Sequence, residues 1–247
     1  MKTVAIIPAA GAGVRMGTGV AKQFMDLEGR PLLTATLQNF EECPLVESVV
    51  LVVPPDRVST CKDEIVDRYG LSKVGQVIQG GRRRQDSVRL GLEAVQGPCE
   101  LVLIHDGVRP FVPPEFIARI ITAASANRAV VPALPVKETV KEVGPDGRVT
   151  RTPDRRNFWL VQTPQAFRYH DILVAHRRAL DENWEELTDD ALLLEKIGVP
   201  VTVVEGLEEN IKITTRHDLE LARFIVSRKG IKQGAESREH GARSEEQ

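Results

Sequence analysis

The residues of this sequence that could do chemistry begin with a run of small ones. Pro8-Ala9-Ala10-Gly11-Ala12-Gly13-Val14-Arg15-Met16-Gly17 follows directly on the apolar stretch that starts at Val4. Small side chains let a ligand approach the backbone closely, and N–H groups left open in such a loop can cradle phosphate oxygens. Arg15 and Lys22 lie on or just beyond the loop, where a polyphosphate would need cations. The loop is not a Walker A motif, because Gly-Lys-Ser/Thr is missing at the required spacing. Nor is it the dinucleotide fingerprint: Gly11, Gly13 and Gly17 read G-x-G-x-x-x-G, and no acidic residue ends a second strand roughly 20 residues on. Taken alone, the segment also reads as a tight strand-to-helix turn edged by surface basic residues.

His105-Asp106 closes a second apolar run, Leu101 to Ile104. Magnesium prefers oxygen ligands and often takes one protein carboxylate while substrate phosphates supply the rest. Asp106 is therefore the candidate metal-side ligand, and its bland alternative is a turn-forming Asp before Gly107. His105, beside an apolar strand, reads as a packed structural residue. A third segment runs Gly80-Gly81-Arg82-Arg83-Arg84-Gln85-Asp86-Ser87. Arg82 and Arg83 read as solvated residues at a helix start, and Arg84 as a candidate neighbour of phosphate or substrate. No Ser-His-Asp or Cys-His set is convincing, so a covalent protein nucleophile is not expected.

The elements that must position these residues alternate. Strands are expected at Val4 to Pro8, Ser48 to Val53, Val74 to Ile78, Leu101 to Ile104, Ala129 to Val131, Leu160 to Gln162 and Val201 to Val204. Between and after them fall helical patterns: one after Pro31 through Leu33, Leu37 and Phe40, then Arg57 to Tyr69, Val88 to Val95, Pro114 to Ala126, Tyr169 to Leu180, Asp189 to Ile197 and Arg216 to Arg228. The alternation predicts an α/β fold, a Rossmann-like and mainly parallel sheet with helices on both faces. Ligands in such sheets bind beyond the carboxyl ends of the strands, which selects the loops after residues 8, 78 and 104.

The pattern breaks between Val136 and Trp159. Glu138 to Val143 and Val149 to Thr152 flank Gly144-Pro145-Asp146-Gly147, which predicts an inserted β-hairpin arm. Such an arm would leave Val140, Val143 and Val149 poorly covered in a monomer, and pairing about a two-fold axis would bury them. Residues 1–228 are expected to form one domain with 136–159 as the arm. Residues 229–247, with Ile231 their only large aliphatic, are expected to be a disordered tail.

Bulk properties set bounds. A net charge of -2 gives no global basic field, so nucleic acid is not an expected partner. Cys43, Cys61 and Cys99 show no paired-ligand spacing, which argues for reduced thiols in a cytoplasmic protein. The N-terminal apolar run is too short for a signal peptide or a membrane span.

The loop and lysine resemble those of nucleotidyltransferases, and the wider set of motifs is similar to the 2-C-methyl-D-erythritol 4-phosphate cytidylyltransferase family of the non-mevalonate isoprenoid pathway. The motifs are Pro8-Ala9-Ala10-Gly11, Arg15-Met16, Lys22-Gln23, Gly80-Gly81, Asp86-Ser87-Val88, His105-Asp106, Arg109-Pro110, Thr163-Pro164-Gln165, Thr188-Asp189 and Asn210-Ile211-Lys212-Ile213-Thr214, in family order from residue 4 to about 226. The resemblance implies cytidylyl transfer from CTP to a polyol phosphate, with Mg2+ as cofactor. It implies that Arg15, Lys22 and Lys212 carry the catalysis by holding the phosphates. It implies a CTP site from Ala9, Ala10, Gly11, Gly13, Gly80, Gly81, Ser87 and Asp106, the double glycine and Ser87 forming the cytosine pocket. The acceptor would meet Arg109 (unless that residue contacts Asp106 instead), Thr188 and, from a partner's arm in a homodimer with shared sites, Thr139 and Arg155.

The sequence departs from the family pattern in places. Ala21 stands where Pro usually precedes Lys-Gln, which suggests a looser loop, and Val14 occupies a position that is often basic or polar. Gly107-Val108 replaces the frequent Ala-Ala or Ala-Val between Asp106 and Arg109. Ribitol-5-phosphate cytidylyltransferases are the nearest rival, but their loop tends to read Ala-Gly-Gly. A dehydrogenase and a non-catalytic nucleotide sensor are rivals of other classes.

Overall fold

The computed structural model describes residues 1–11, 21–185 and 187–228. In chain order its strands are β1 (Thr3–Pro8), β2 (Asp26–Leu27), β3 (Arg30–Pro31), β4 (Ser48–Val53), β5 (Val74–Gln79), β6 (Leu101–Ile104), β7 (Ala129–Pro135), β8 (Glu142–Val143), β9 (Val149–Arg151), β10 (Trp159–Val161), β11 (Gln165–Arg168) and β12 (Thr202–Glu205). The helices are α1 (Leu32–Glu42), α2 (Val58–Cys61), α3 (Arg84–Glu93), α4 (Pro114–Ala126), α5 (Tyr169–Asp181), α6 (Ala191–Lys196) and α7 (216–228).

The main sheet runs β10-β7-β11-β6-β1-β4-β5, with β12 also paired to β7. β1 lies between β4 and β6, parallel to both, and β4 pairs parallel with β5. An unbroken apolar run suits a central parallel strand buried on both faces. Alternation then splits β1 between two cores. Ala5 and Ile7 face a cluster with Leu33, Leu37 and Phe40 of α1 and Ile117 and Ile120 of α4. Val4 and Ile6 face Val88 and Leu92 of α3, Ile172 and Ala175 of α5, and Leu194 of α6.

Four features differ from the expected pattern. Gln165–Arg168 is a strand, antiparallel to both β6 and β7, wedged between them. Its four residues hold only two apolar side chains, the adjacent Ala166 and Phe167, which give neither an apolar run nor an alternation. The stretch from Arg57 to Tyr69 is not one regular helix: Pro55–Arg57 is a 3-10 turn, α2 is one turn long, and Lys62–Asp67 is π-helical. The sixth helix begins at Ala191 rather than Asp189. The arm's ladder is shorter than its alternating pattern, pairing only β8 with β9. Residues 138–141 lie outside any strand. The predicted tail, 229–247, lies outside the described residues.

Candidate active site

The loop after β1 sits at the carboxyl edge of the sheet, seated on glycines. A Cβ on Gly80 would lie 2.4 Å from the Ala10 Cβ, and one on Gly107 would lie 3.1 Å from that of Ala9. The buried Gln23 pins the loop from below, its amide donating to the carbonyls of Ala9 (2.7 Å) and Gly11 (3.0 Å). Gln23 stands in the turn Lys22–Phe24, which brings Lys22 to the same cleft. Gly13 and Arg15 lie outside the described residues. Ser87 is buried, and its hydroxyl accepts the Gly81 N–H at 3.1 Å. It therefore shapes the double-glycine turn from within.

Asp106 follows β6 and is almost fully buried. Its turn is held on several sides. The Asp106 N–H donates to the Thr163 hydroxyl (3.1 Å), and Asn39 of α1 donates to the Pro110 carbonyl (2.8 Å). His105 Nε2 lies 3.0 Å from the Arg109 carbonyl, so that nitrogen donates and Nδ1 accepts from the Thr163 hydroxyl at 3.1 Å. Burial pushes the His105 pKa down to about 4, which keeps the ring neutral. His105 is the packed structural residue its context predicts.

Three cations converge on the Asp106 carboxylate. Arg84 Nε is 3.2 Å from Oδ1, Arg109 Nε is 3.3 Å from Oδ2, and Lys212 Nζ is 3.0 Å from Oδ2. Burial alone would raise the Asp106 pKa, but Arg84, Lys212 and Arg109 outweigh it and hold the group well below the carboxylate range. Lys212 arrives from the segment before α7, where the Ile213 N–H donates to the Val108 carbonyl at 3.0 Å and the Ile213 side chain is buried.

This cluster is a wall between two pockets. Ala9, Gly11, Lys22, Gly81 and Ser87 line one; Arg109, Thr163, Gln165, Thr188 and Asp189 line the other. Arg84, Asp106 and Lys212 line both. The first is walled by backbone and basic groups and suits a nucleotide; the second is lined mainly by polar and charged side chains.

Thr139 and Arg155 are exposed on the arm and border neither pocket in this chain. Arg155 donates instead to the Lys137 carbonyl. The solvated reading of Arg83 is corrected: it pairs with Asp86 at 2.7 Å, and its Nη1 donates to the Trp184 carbonyl at 3.2 Å. Arg84 is a two-ended bridge, its Nη1 lying 2.7 Å from Asp190 Oδ2. Gln23, Thr163 and Asp190 were not singled out for these roles by sequence. Gln23 and Thr163 fall inside quoted motifs; Asp190 is signalled only as the second of two adjacent acids.

Among the described residues no three His, Cys, Asp or Glu side chains converge on a cation site. Lys212 and Arg109 pair with Asp106 Oδ2 and Arg84 with Oδ1, and a carboxylate with about four lone-pair positions has capacity for a further partner beside these. Such a donor set fits a hard cation that arrives with phosphate oxygens and takes a single protein oxygen.

Residues 3–228 match the family model described as 2-C-methyl-D-erythritol 4-phosphate cytidylyltransferase. A curated protein of that name from Geobacter metallireducens is 45% identical over 232 residues, 93% of this chain and 99% of the relative. One from Syntrophus aciditrophicus is 44% identical over 92% of this chain and 97% of its own length. The crystal structure of 4-diphosphocytidyl-2C-methyl-D-erythritol synthase from Anaerococcus prevotii superposes with a TM-score of 0.81 at 34% identity, covering 92% of this chain and 96% of that one.

Proposed function

Because the chain belongs to the 2-C-methyl-D-erythritol 4-phosphate cytidylyltransferase family, we propose that its two pockets hold CTP and 2-C-methyl-D-erythritol 4-phosphate on either side of the Arg84–Asp106–Lys212 wall. The enzyme is a nucleotidyltransferase of isoprenoid precursor biosynthesis: it transfers a cytidylyl group from CTP to that acceptor and releases pyrophosphate. The observation that carries the site assignment is the shared wall, since a group transfer needs both substrates to meet at one line of charge.

In the proposed mechanism a phosphate oxygen of the acceptor attacks the α-phosphorus of CTP. A new P–O bond forms, the bond from the α-phosphorus to the bridging oxygen breaks, and its electron pair leaves with pyrophosphate. The acceptor oxygen is already anionic near neutral pH, so no strong general base is required. Lys22, Lys212 and Arg15 stabilise the charge that grows on the phosphates. Gly80 and Gly81 hold the base edge close to backbone, with Ala9, Ala10, Gly11 and Gly13 around the triphosphate. Ser87 shapes that turn. Arg109 and Thr188 face the acceptor. When bound, magnesium would neutralise phosphate charge, with the Asp106 carboxylate supplying the protein oxygen.

The arm belongs to the same proposal. Val143, Val149, Trp159 and Leu160 are all more than two-fifths exposed, which supports a homodimer whose arms bury one another and deliver Thr139 and Arg155 to the partner's acceptor pocket. The three free cysteines support a cytoplasmic setting. Among the described residues no helix is long and apolar enough to cross a membrane.

A coupled pyrophosphate-release assay tests the substrates. CTP with 2-C-methyl-D-erythritol 4-phosphate is expected to outrun ATP or GTP and to outrun ribitol 5-phosphate as acceptor. Equal release from ATP would overturn the base-pocket assignment. Mixing Lys22→Ala with Arg155→Ala under subunit exchange tests the shared site. Activity should return in the hybrid, where one complete site forms; confirmed exchange without recovery would remove the arm from catalysis.

A further inference from the structure

Behind the wall lies a line of buried charge that no substrate is expected to touch. Asp190 is 1% exposed, and its carboxylate joins two elements. Oδ2 receives Arg84 Nη1 at 2.7 Å from the start of α3, and Oδ1 receives His176 Nε2 at 3.2 Å from α5. Burial would raise the pKa of Asp190, but the Arg84 charge leads the groups that lower it. Burial likewise works against the charge of Arg84, and Asp190 followed by Asp106 more than restores it.

Arg84 is not alone in reaching across. Its neighbours in sequence bind the same distant loop: the Arg83 guanidinium donates to the Trp184 carbonyl, and the Gln85 amide oxygen accepts the Leu187 N–H at 3.0 Å. Three consecutive residues therefore stitch the nucleotide side of the site to the loop that carries Thr188 and Asp189, two lining residues of the second pocket. Of the three ties, only the one through Asp190 continues to Asp106.

We infer that Asp190, backed by His176, is a positioning residue for the transfer: it fixes Arg84 as the rigid bridge that sets Asp106, and with it Lys212, between the two pockets. Arg84 has its fork committed at both ends and so acts as a strut rather than a phosphate ligand. An arginine suits that role because its planar fork holds Nε and Nη1 in fixed directions toward the two carboxylates, whereas a lysine offers a single point charge on a flexible stem. The inference rests on the assignment of the two pockets to CTP and the acceptor.

The experiment compares Asp190→Asn, Arg84→Lys and the double variant with the wild type in steady-state pyrophosphate release, and measures CTP binding by calorimetry. Wild-type activity is the control: its absence would overturn the functional assignment and not the strut. With an active wild type, each single variant should lose roughly 30- to 100-fold in kcat, the scale on which misplacement by about 1 Å lowers a rate. The acceptor KM should rise while CTP affinity stays within roughly threefold, a split that general loosening of the fold would not give. The double variant should be no worse than the poorer single one, because both break the same tie. Multiplied losses in the double variant, or wild-type kcat in Asp190→Asn, would overturn the inference. If Asp190→Asn does not fold, His176→Gln leaves both charges in place and should still lower kcat several-fold at unchanged CTP affinity; unchanged kcat there would overturn it equally.

Discussion

The wall around Asp106 and the arm from 136 to 159 solve opposite problems. Every charge in the wall finds its partner within one chain: Asp106 has three, Arg84 two, and the turn beneath is bonded to α1 and to Thr163. The arm has charged pairs at its rim but leaves its apolar side chains open, with Val143 54% and Leu160, just past its end, 60% exposed. Buried charge is tolerated only when satisfied on the spot, whereas an uncovered apolar strip costs little until a partner is available. In the proposed dimer, the difference separates what one subunit settles for itself from what it would leave to a second copy.

The contrast breaks most visibly at its charged end. Asp106→Asn keeps shape but releases three cations into the wall, and kcat/KM should fall at least ~1000-fold, roughly 4 kcal/mol. Lys212→Ala removes one of them and should cost at least ~100-fold, roughly 2.7 kcal/mol. Near wild-type turnover in either, with circular dichroism showing a folded protein, would remove that residue from the mechanism.

The neutral His105 sharpens the picture through pH. Its folded pKa of about 4 lies below its unfolded value. The unfolded state therefore binds more protons between those values, and stability falls as pH drops through that window. Between pH 7.5 and pH 5 the loss should be about 2 kcal/mol, read from urea melts, and His105→Asn should flatten it. An equally steep decline in the variant would assign the acid sensitivity elsewhere.

At the arm the expected effect is on assembly. Leu160→Asp should convert dimer to monomer in light scattering while changing the stability of the separate chain by no more than ~0.5 kcal/mol, as for other exposed sites. A variant that unfolds outright would show that the strip is covered within its own subunit.

The smallest effect concerns Ala21, which stands where the family pattern leads one to expect proline. Its φ of -64° is the value a proline ring imposes. Ala21→Pro should raise stability by about 0.4–1 kcal/mol without altering kcat. A drop in melting temperature would mean that the preceding segment resists the ring.

Much of this was legible in the sequence because it is local. The strands β1, β5 and β6 end where the loops with Ala9, Gly80 and Asp106 begin, and the alternation of Ile211 and Ile213 around Lys212 marks a side chain held above a buried segment. What escaped is long-range or short. Arg84 and Asp190 are 106 residues apart, and no periodicity reports such a pair. β11 is a four-residue strand in a sequence stretch bounded by proline and a helix start, so its antiparallel pairing had no signal to carry it. Arg83 looked solvated because a run of arginines usually is; its partner Trp184 carbonyl is contributed by backbone, which sequence type does not specify.

The seating of Ala10 against Gly80 has a bearing on inhibition. With 2.4 Å between the Ala10 methyl and any methyl placed on residue 80, and 2.8 Å to the Ser87 oxygen, the floor of the proposed base pocket has no slack. A compound that competes for this floor meets a target with few escape routes. A bulkier residue at 80 would drive the phosphate loop off its seat, and one at 10 would collide with the turn from the other side. Mutations that evade such a compound should therefore arise around the rim, at exposed positions such as Arg82, and leave the two small residues unchanged.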